Sequence, residues 1–395
     1  MEANNLHKTL HVLAGAALVG AFVLAFPYYK RGDMFGFTGP EGAIAYNNRG
    51  FAYGARGDLD RAIADFNEAI RLDPKYAKVY INRGEAYSGK GDNDRAIADY
   101  DEAIRLDPKI AVARNDRGLA YGFKGDHDRA IADFNEAIRL DPEYAIGYYN
   151  RGSVYRVRGD NDRAIADYDE AIRLDPKYVF AYNNRGLAYK ANGNLDRAIA
   201  DYNEAVQLDP KFAFAYNNRG VAYLFKGDLS RAIADYNEAV ELDPKFALAY
   251  LNRGVAYRVK GDNDRAITDY DEAIRLDPMN AQAFSKRCYV LTIVGRAQQA
   301  LADCNVSVRL QPNNPDGLDN RGFAYLMLGQ FDRAITDYDS VLKLNPKTAS
   351  SLYGRGVAKL KKGDSNDGTS DILAAKAIQR DIAEEFARVG VKGPE

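Results

Sequence analysis

The sequence predicts an all-α solenoid built from about ten antiparallel helix pairs. Three observations carry this prediction. Nine prolines, Pro74, Pro108, Pro142, Pro176, Pro210, Pro244, Pro278, Pro312 and Pro346, stand 34 residues apart. Apolar residues within each interval recur at helical spacing, and a glycine returns at one fixed place in each. A strict period of this length marks one supersecondary unit stacked along an axis. Such a fold presents a long surface and not a compact catalytic centre, so the residues to read are those that recur on one face.

The first repeat runs from Ala43 to Tyr76. Asp73-Pro74 reads as an N-cap acid before a proline at the first helical position, where the missing N–H costs nothing. Helix A then carries Tyr46, Gly50 and Tyr53 on one face. Gly57 supplies the left-handed residue that ends it. Helix B carries Ala62, Phe66 and Ala69 on its buried face. Small residues at Gly50, Ala62 and Ala69 let the helix backbones approach, and Tyr and Phe fill the remaining volume. Neither helix can bury its faces alone; stacking completes the core.

Tyr46, Gly50, Tyr53, Gly57, Ala62, Phe66, Ala69 and Pro74 together resemble the tetratricopeptide repeat, whose pattern is W-x2-L-G-x2-Y, then A-x3-F, an Ala and a late Pro. The resemblance, to bacterial-type members with an N-terminal membrane segment, covers nine repeats over residues 43–348. An incomplete tenth follows over 349–395. It implies a right-handed superhelix whose A helices line a concave groove where a protein or peptide partner sits.

Two departures recur. Tyrosine takes the place of tryptophan, which the chain lacks. Arginine replaces the apolar residue three positions later in every repeat: Arg49, Arg83, Arg117, Arg151, Arg185, Arg219, Arg253, Arg287, Arg321 and Arg355. Helix B carries a matching aspartate, in Asp65, Asp99, Asp133, Asp167, Asp201, Asp235, Asp269, Asp303, Asp337 and Asp371. A half-buried arginine needs a partner, so a ladder of Arg–Asp pairs is expected. The alternative is a surface pair along helix B, such as Arg61–Asp65.

Net charge is −2, with acidic and basic residues nearly balanced; no basic face for nucleic acid is indicated. The three histidines, His7, His11 and His127, form no ligand cluster, and no metal or cofactor is expected. Nor is there a Ser/His/Asp grouping or a phosphate-type glycine loop, which argues against an enzyme. Cys288 and Cys304 take the places of the helix A glycine and the helix B aromatic in the eighth repeat. Two buried free thiols are expected there, with a disulfide as the alternative in an oxidising compartment. Leu291, Gln299 and Ser307 make this repeat the most degenerate, and the stack is expected to be least regular at it.

Residues 10–29 are apolar apart from His11 and Pro27, near the length that spans a bilayer, with Tyr28, Tyr29, Lys30 and Arg31 as an interfacial flank. Residues 1–31 are therefore expected to be a membrane anchor with the repeats outside the cytoplasm. A cleaved export signal, leaving a secreted or periplasmic chain, is the alternative. Residues 32–42 read as a linker. At the other end Arg380 stands where proline is due, so helix B is expected to continue as a capping helix over 369–391.

On helix A an asparagine precedes the Arg-Gly pair in seven repeats: Asn48, Asn82, Asn150, Asn184, Asn218, Asn252 and Asn320. An amide offers a donor and an acceptor, so this series could grip the backbone of an extended peptide. It resembles the asparagine ladder in the repeat domain of O-linked N-acetylglucosamine transferases; here repeats and cap consume residue 43 onward. Shared ancestry of near-identical repeats is the plainer reading. Leu187, Val221, Leu224, Phe225, Leu251 and Val255 add an apolar centre to the expected groove, while Phe180, Phe214 and Leu248 could instead fill the seam between repeats. The expected function is a non-enzymatic, membrane-associated interaction scaffold. The alternative is a structural assembler that self-associates.

Overall fold

A computed structural model describes residues 39–391. The proposed anchor, the export-signal alternative and most of the expected linker lie outside the described residues. Among those described, no helix is long and apolar enough to cross a membrane. They form 21 helices and no strand, divided between two compact bodies that meet in the sequence at Asn194 and Leu195.

The first body holds α1 (Gly39–Ala55), α2 (Leu59–Leu72), α3 (Ala77–Gly89), α4 (Asn93–Leu106), α5 (Ala111–Phe123), α6 (His127–Leu140), α7 (Ala145–Val157), α8 (Asn161–Leu174) and α9 (Val179–Ala191). The second holds α10 (Leu195–Leu208), α11 (Ala213–Phe225), α12 (Leu229–Leu242), α13 (Ala247–Lys260), α14 (Asn263–Leu276), α15 (Ala281–Ile293) and α16 (Ala297–Leu310). It continues through α17 (Pro315–Met327), α18 (Phe331–Leu344), α19 (Ala349–Lys362), α20 (Ser365–Ile378) and α21 (Ile382–Arg388). Odd-numbered helices up to α19 are the A helices, even-numbered ones the B helices. α1 starts at Gly39, inside the range 32–42 read as linker. The tenth repeat is a complete helix pair.

Each turn from A to B uses a glycine at positive φ, +77° at Gly57, in the region where a Cβ is disfavoured. The next residue caps helix B: the Asp58 side chain accepts from the Arg61 N–H at 3.2 Å, and Asp92, Asp126, Asp160, Asp228 and Asp262 do the same. Asp73 does not cap helix A. It is the extended C-cap of α2 and accepts from the Lys75 N–H at 3.0 Å, so Pro74 sits in a turn and α3 opens after Tyr76. The cap followed by proline occurs at the additional proline, Pro315, with Asn314 accepting from the Asp316 N–H at 3.0 Å, and Asn280 caps α15 without one.

The core is lined by alanines, with an aromatic from helix B in eight of the ten repeats; Tyr100, Phe134, Tyr168, Tyr236, Tyr270 and Tyr338 are fully buried. Helix A must be glycine opposite that ring. A Cβ on Gly220 would lie 2.8 Å from the Tyr236 ring, a distance real contacts do not reach. The eighth repeat solves the same problem differently. With Cys304 in place of the ring, the glycine site can carry Cys288, and the two sulfurs are bonded across α15 and α16 with Cα atoms 5.4 Å apart. The free-thiol expectation is thereby corrected. Nor is the stack irregular there: α15 and α16 keep 13 and 14 residues like their neighbours. The continuous capping helix is also corrected. Gln379 is extended, as Asp73 is, so the B-to-A turn survives without proline and α21 is a separate helix.

Candidate partner-binding face

Three kinds of side chain build the A-helix face, each at its own angular position. The arginines come first. Arg83 forms a two-point fork on Asp99, Nε to Oδ2 at 2.8 Å and Nη2 to Oδ1 at 2.6 Å. Its Nη1 donates to Asn67 of the preceding repeat at 2.7 Å. The fork recurs at Arg49–Asp65, Arg117–Asp133, Arg151–Asp167, Arg219–Asp235, Arg253–Asp269, Arg287–Asp303, Arg321–Asp337 and Arg355–Asp371. Arg185 donates to Asp169 of the preceding repeat at 2.6 Å. Bidentate, charge-assisted bonds of this kind hold the planar guanidinium in one orientation. Burial pushes the carboxyls of Asp99, Asp167, Asp235 and Asp269 up, against the pull of their arginines. Arg61 does not make the alternative pairing along helix B; it goes to the capping Asp58 at 3.0 Å.

The asparagines come second, and the structure uses them along the seam between successive A helices. Asn82 Nδ2 donates to Asn47 Oδ1 at 2.7 Å, Asn150 to Asn115 at 2.9 Å, and Asn252 to Asn217 at 2.9 Å. Asn184 donates to the Tyr149 hydroxyl and Asn320 to the Ser285 hydroxyl, both at 2.9 Å. Asn218 accepts from Asn217 at 3.4 Å, and Asn48 is exposed. Asn82 and Asn150 are buried and so cannot meet a ligand. The acceptors were the missed signal: a polar residue stands one place earlier in the preceding repeat.

Apolar side chains come third. Nine exposed large apolar residues fall on A helices: Ile44, Phe51, Val112, Ile146 and Val157 in the first body, Phe214, Phe225, Leu248 and Val259 in the second. They occupy the second, ninth and thirteenth places of the repeat. At 100° per residue, steps of seven and eleven return to within about 20° of the starting direction. One stripe therefore faces outward in each body. Phe225 is its most open member at 71% exposed, with Val259 at 50%. Val221, Leu224 and Val255 are half-buried in the same body, and Leu187 is half-buried in the first body. Leu251 is buried in the core and does not line the face as expected. Phe214 is exposed yet packs its ring 4.6 Å from Phe246.

Two acids interrupt the pattern in the first body. Glu85 replaces an apolar stripe residue and Asp116 an asparagine. Burial, then the charge of Glu85, pushes Asp116 up to about 8; burial raises Glu85, and Lys78 opposes it. Asp116 Oδ1 accepts from Asn115 at 3.0 Å, whereas Oδ2 is buried without a protein partner.

The architecture is thus a helix-pair repeat whose A helices carry recurring arginine, asparagine and apolar positions. Residues 43–76, 81–145, 217–281, 251–315 and 320–348 match the tetratricopeptide repeat, and residues 152–193 and 186–226 match the TPR repeat description. The chain belongs to the tetratricopeptide repeat family. It is similar to a tetratricopeptide repeat protein from Parabacteroides merdae ATCC 43184, at 22% identity over 62% of this chain and 97% of that one, with a TM-score of 0.51. The APC/C hetero-tetramer Cut9–Hcn1 is similar at 17% identity over 98% of this chain and 82% of that one, with a TM-score of 0.55. At these identities the likeness shows the fold alone. MamA is 32% identical over 42% of this chain and 96% of that one, with a TM-score of 0.38. No curated protein matches the chain.

Proposed function

We propose that this chain is a non-enzymatic scaffold that holds a segment of a partner protein against its A-helix face. One observation carries the reading: large apolar side chains are left in solvent at one recurring angular position of the A helices. Exposed apolar groups aligned in this way mark interaction surfaces. The asparagines contribute by fixing the seam, and the exposed Asn48 keeps its amide within reach of a bound backbone. Replacing Phe225 and Val259 together by aspartate should abolish capture of the native partner while thermal unfolding stays unchanged. Undiminished capture would reject the reading.

A second reading, self-association, is supported by Leu373 and Ile378, which stand exposed on the last B helix. A chain lacking residues 1–30 that scatters light as a monomer would reject it. The Cys288–Cys304 bond supports placing the repeats in an oxidising, extracytoplasmic compartment. There residues 10–29 would hold them at a membrane, or an export signal would have released them.

A further inference from the structure

The A-helix face of the second body is open over α11 and α13 and closed over α17 and α19. The chain itself closes it. After the turn at Gln379 to Asp381, α21 lies on A-helix side chains of two repeats. The Phe386 ring is 4.7 Å from Tyr353 of α19 and 6.0 Å, edge-on, from Phe323 of α17. Ile382 and Phe386, one helical turn apart, are 1% and 9% exposed. Gly390 turns the chain at positive φ against Met327, and Val391 is buried behind it. Asp381, Glu384 and Glu385 remain on the solvent side.

The places that α21 covers are the places that stand open two and three repeats earlier. Phe323 and Met327 correspond to Val221 and Phe225 of α11 and to Val255 and Val259 of α13, all apolar. The covered and open stretches adjoin at Tyr289 of α15. Its ring lies 6.0 Å from Phe323, and the Arg258 guanidinium of α13 is 5.7 Å from its centre. Burial raises the Tyr289 phenol most; Arg258 lowers it and Glu385 raises it, so both charges are its neighbours. A further cation is available in the open stretch. Lys226 pairs with Asp196, but the residue in that place for Lys260 is Ser230, so Lys260 has no carboxylate there.

We propose that the open stretch over α11 and α13 binds an amphipathic helix with the chemistry of α21. That helix carries two apolar residues one turn apart, at least one of them aromatic, and carboxylates along its flank. The inference rests on the reading of the A-helix face as the partner surface and names the partner's chemistry. Continuity with the contact made by α21 carries the apolar part; Arg258 and Lys260 carry the acidic part.

The probe is a fluorescein-labelled synthetic peptide of residues 379–391, titrated into the full chain by fluorescence anisotropy. Saturable binding is expected, weakened tenfold or more by Phe225→Asp in the chain and by Phe386→Ala in the peptide. A peptide carrying Glu384→Lys and Glu385→Lys should also bind more weakly. No binding, or binding that Phe225→Asp leaves unchanged because the peptide displaces α21, overturns the proposal. Equal binding of the lysine peptide overturns the acidic part. Phe225 is solvent-exposed, so its substitution leaves the fold intact; circular dichroism checks this. If the native partner is captured through Phe225 while the peptide is not bound, the partner's chemistry is wrong and the scaffold reading stands.

Discussion

Arg219 forks onto Asp235, Nε to Oδ2 at 2.8 Å and Nη2 to Oδ1 at 2.6 Å, and its third nitrogen reaches Asn203 at 2.8 Å. One guanidinium thereby ties α11, α12 and α10 together. A residue that breaks the family pattern is in this chain the tie within and between repeats.

The cost of breaking that tie depends on how far it is buried. The Arg219 side chain is 17% exposed, whereas Arg49 in the first repeat is 42% exposed. Asp235→Ala should destabilise by about 3 kcal/mol, because it leaves a half-buried guanidinium without its carboxylate. Asp65→Ala should cost about 1 kcal/mol or less, since water can solvate Arg49. Urea unfolding of the two variants checks the difference.

Cys288 and Cys304 close a loop of 16 residues, which should stabilise by roughly 3 kcal/mol through loss of unfolded-state entropy. Reduction should lower the melting temperature. Maleimide labelling of the unfolded chain should give no adduct before reduction and two after it.

Asp116 makes stability depend on pH. Its folded pKa, raised to about 8, lies above the unfolded value near 3.9. The folded state therefore holds its proton longer, and the associated stability is complete below about 4 and lost as pH rises toward 8. Asp116→Asn, which restores the usual residue of the repeat, should raise the melting temperature at pH 8 and leave it unchanged at pH 4. Asp319, which burial pushes up to about 6, keeps part of the slope in that variant. Melting curves across this range check the sign.

The close approach at Gly220 and the ring of Tyr236 can be separated. Gly220→Ala forces a Cβ into the ring and should cost about 2 kcal/mol. Tyr236→Phe should cost nothing or stabilise by up to about 1 kcal/mol, because the hydroxyl is buried without a protein partner. Phe66 and Phe134 already occupy that place in other repeats. Chemical denaturation of both variants decides.

The proline period and the spacing of Gly50, Ala62 and Phe66 made the helix pairs and their core legible in the sequence, because each reports a local backbone or volume requirement. The Arg–Asp geometry was legible too, since a half-buried cation must find an anion. Features that depend on contacts between repeats were not. Asn82 reads as a groove residue until Asn47 is placed beside it, and Leu251 reads as surface until neighbouring A helices cover it. The cap at Asp58 and the turn at Asp73 use the same chemistry on opposite sides of a helix, so Asp-Pro alone could not tell a start from an end. The path of α21 follows from Phe386 finding Tyr353 and Phe323, partners 33 and 63 residues away.

Site-specific photo-crosslinking tests the A-helix face most directly. A photoreactive phenylalanine is placed at Phe225 on that face, or at Glu238 on the exposed side of α12, and the chain is irradiated in its native cell. A partner adduct from position 225 with none from position 238 is the predicted result. Equal adducts from both positions, or an adduct from position 238 alone, would contradict the assignment of the A-helix face as the surface that holds the partner.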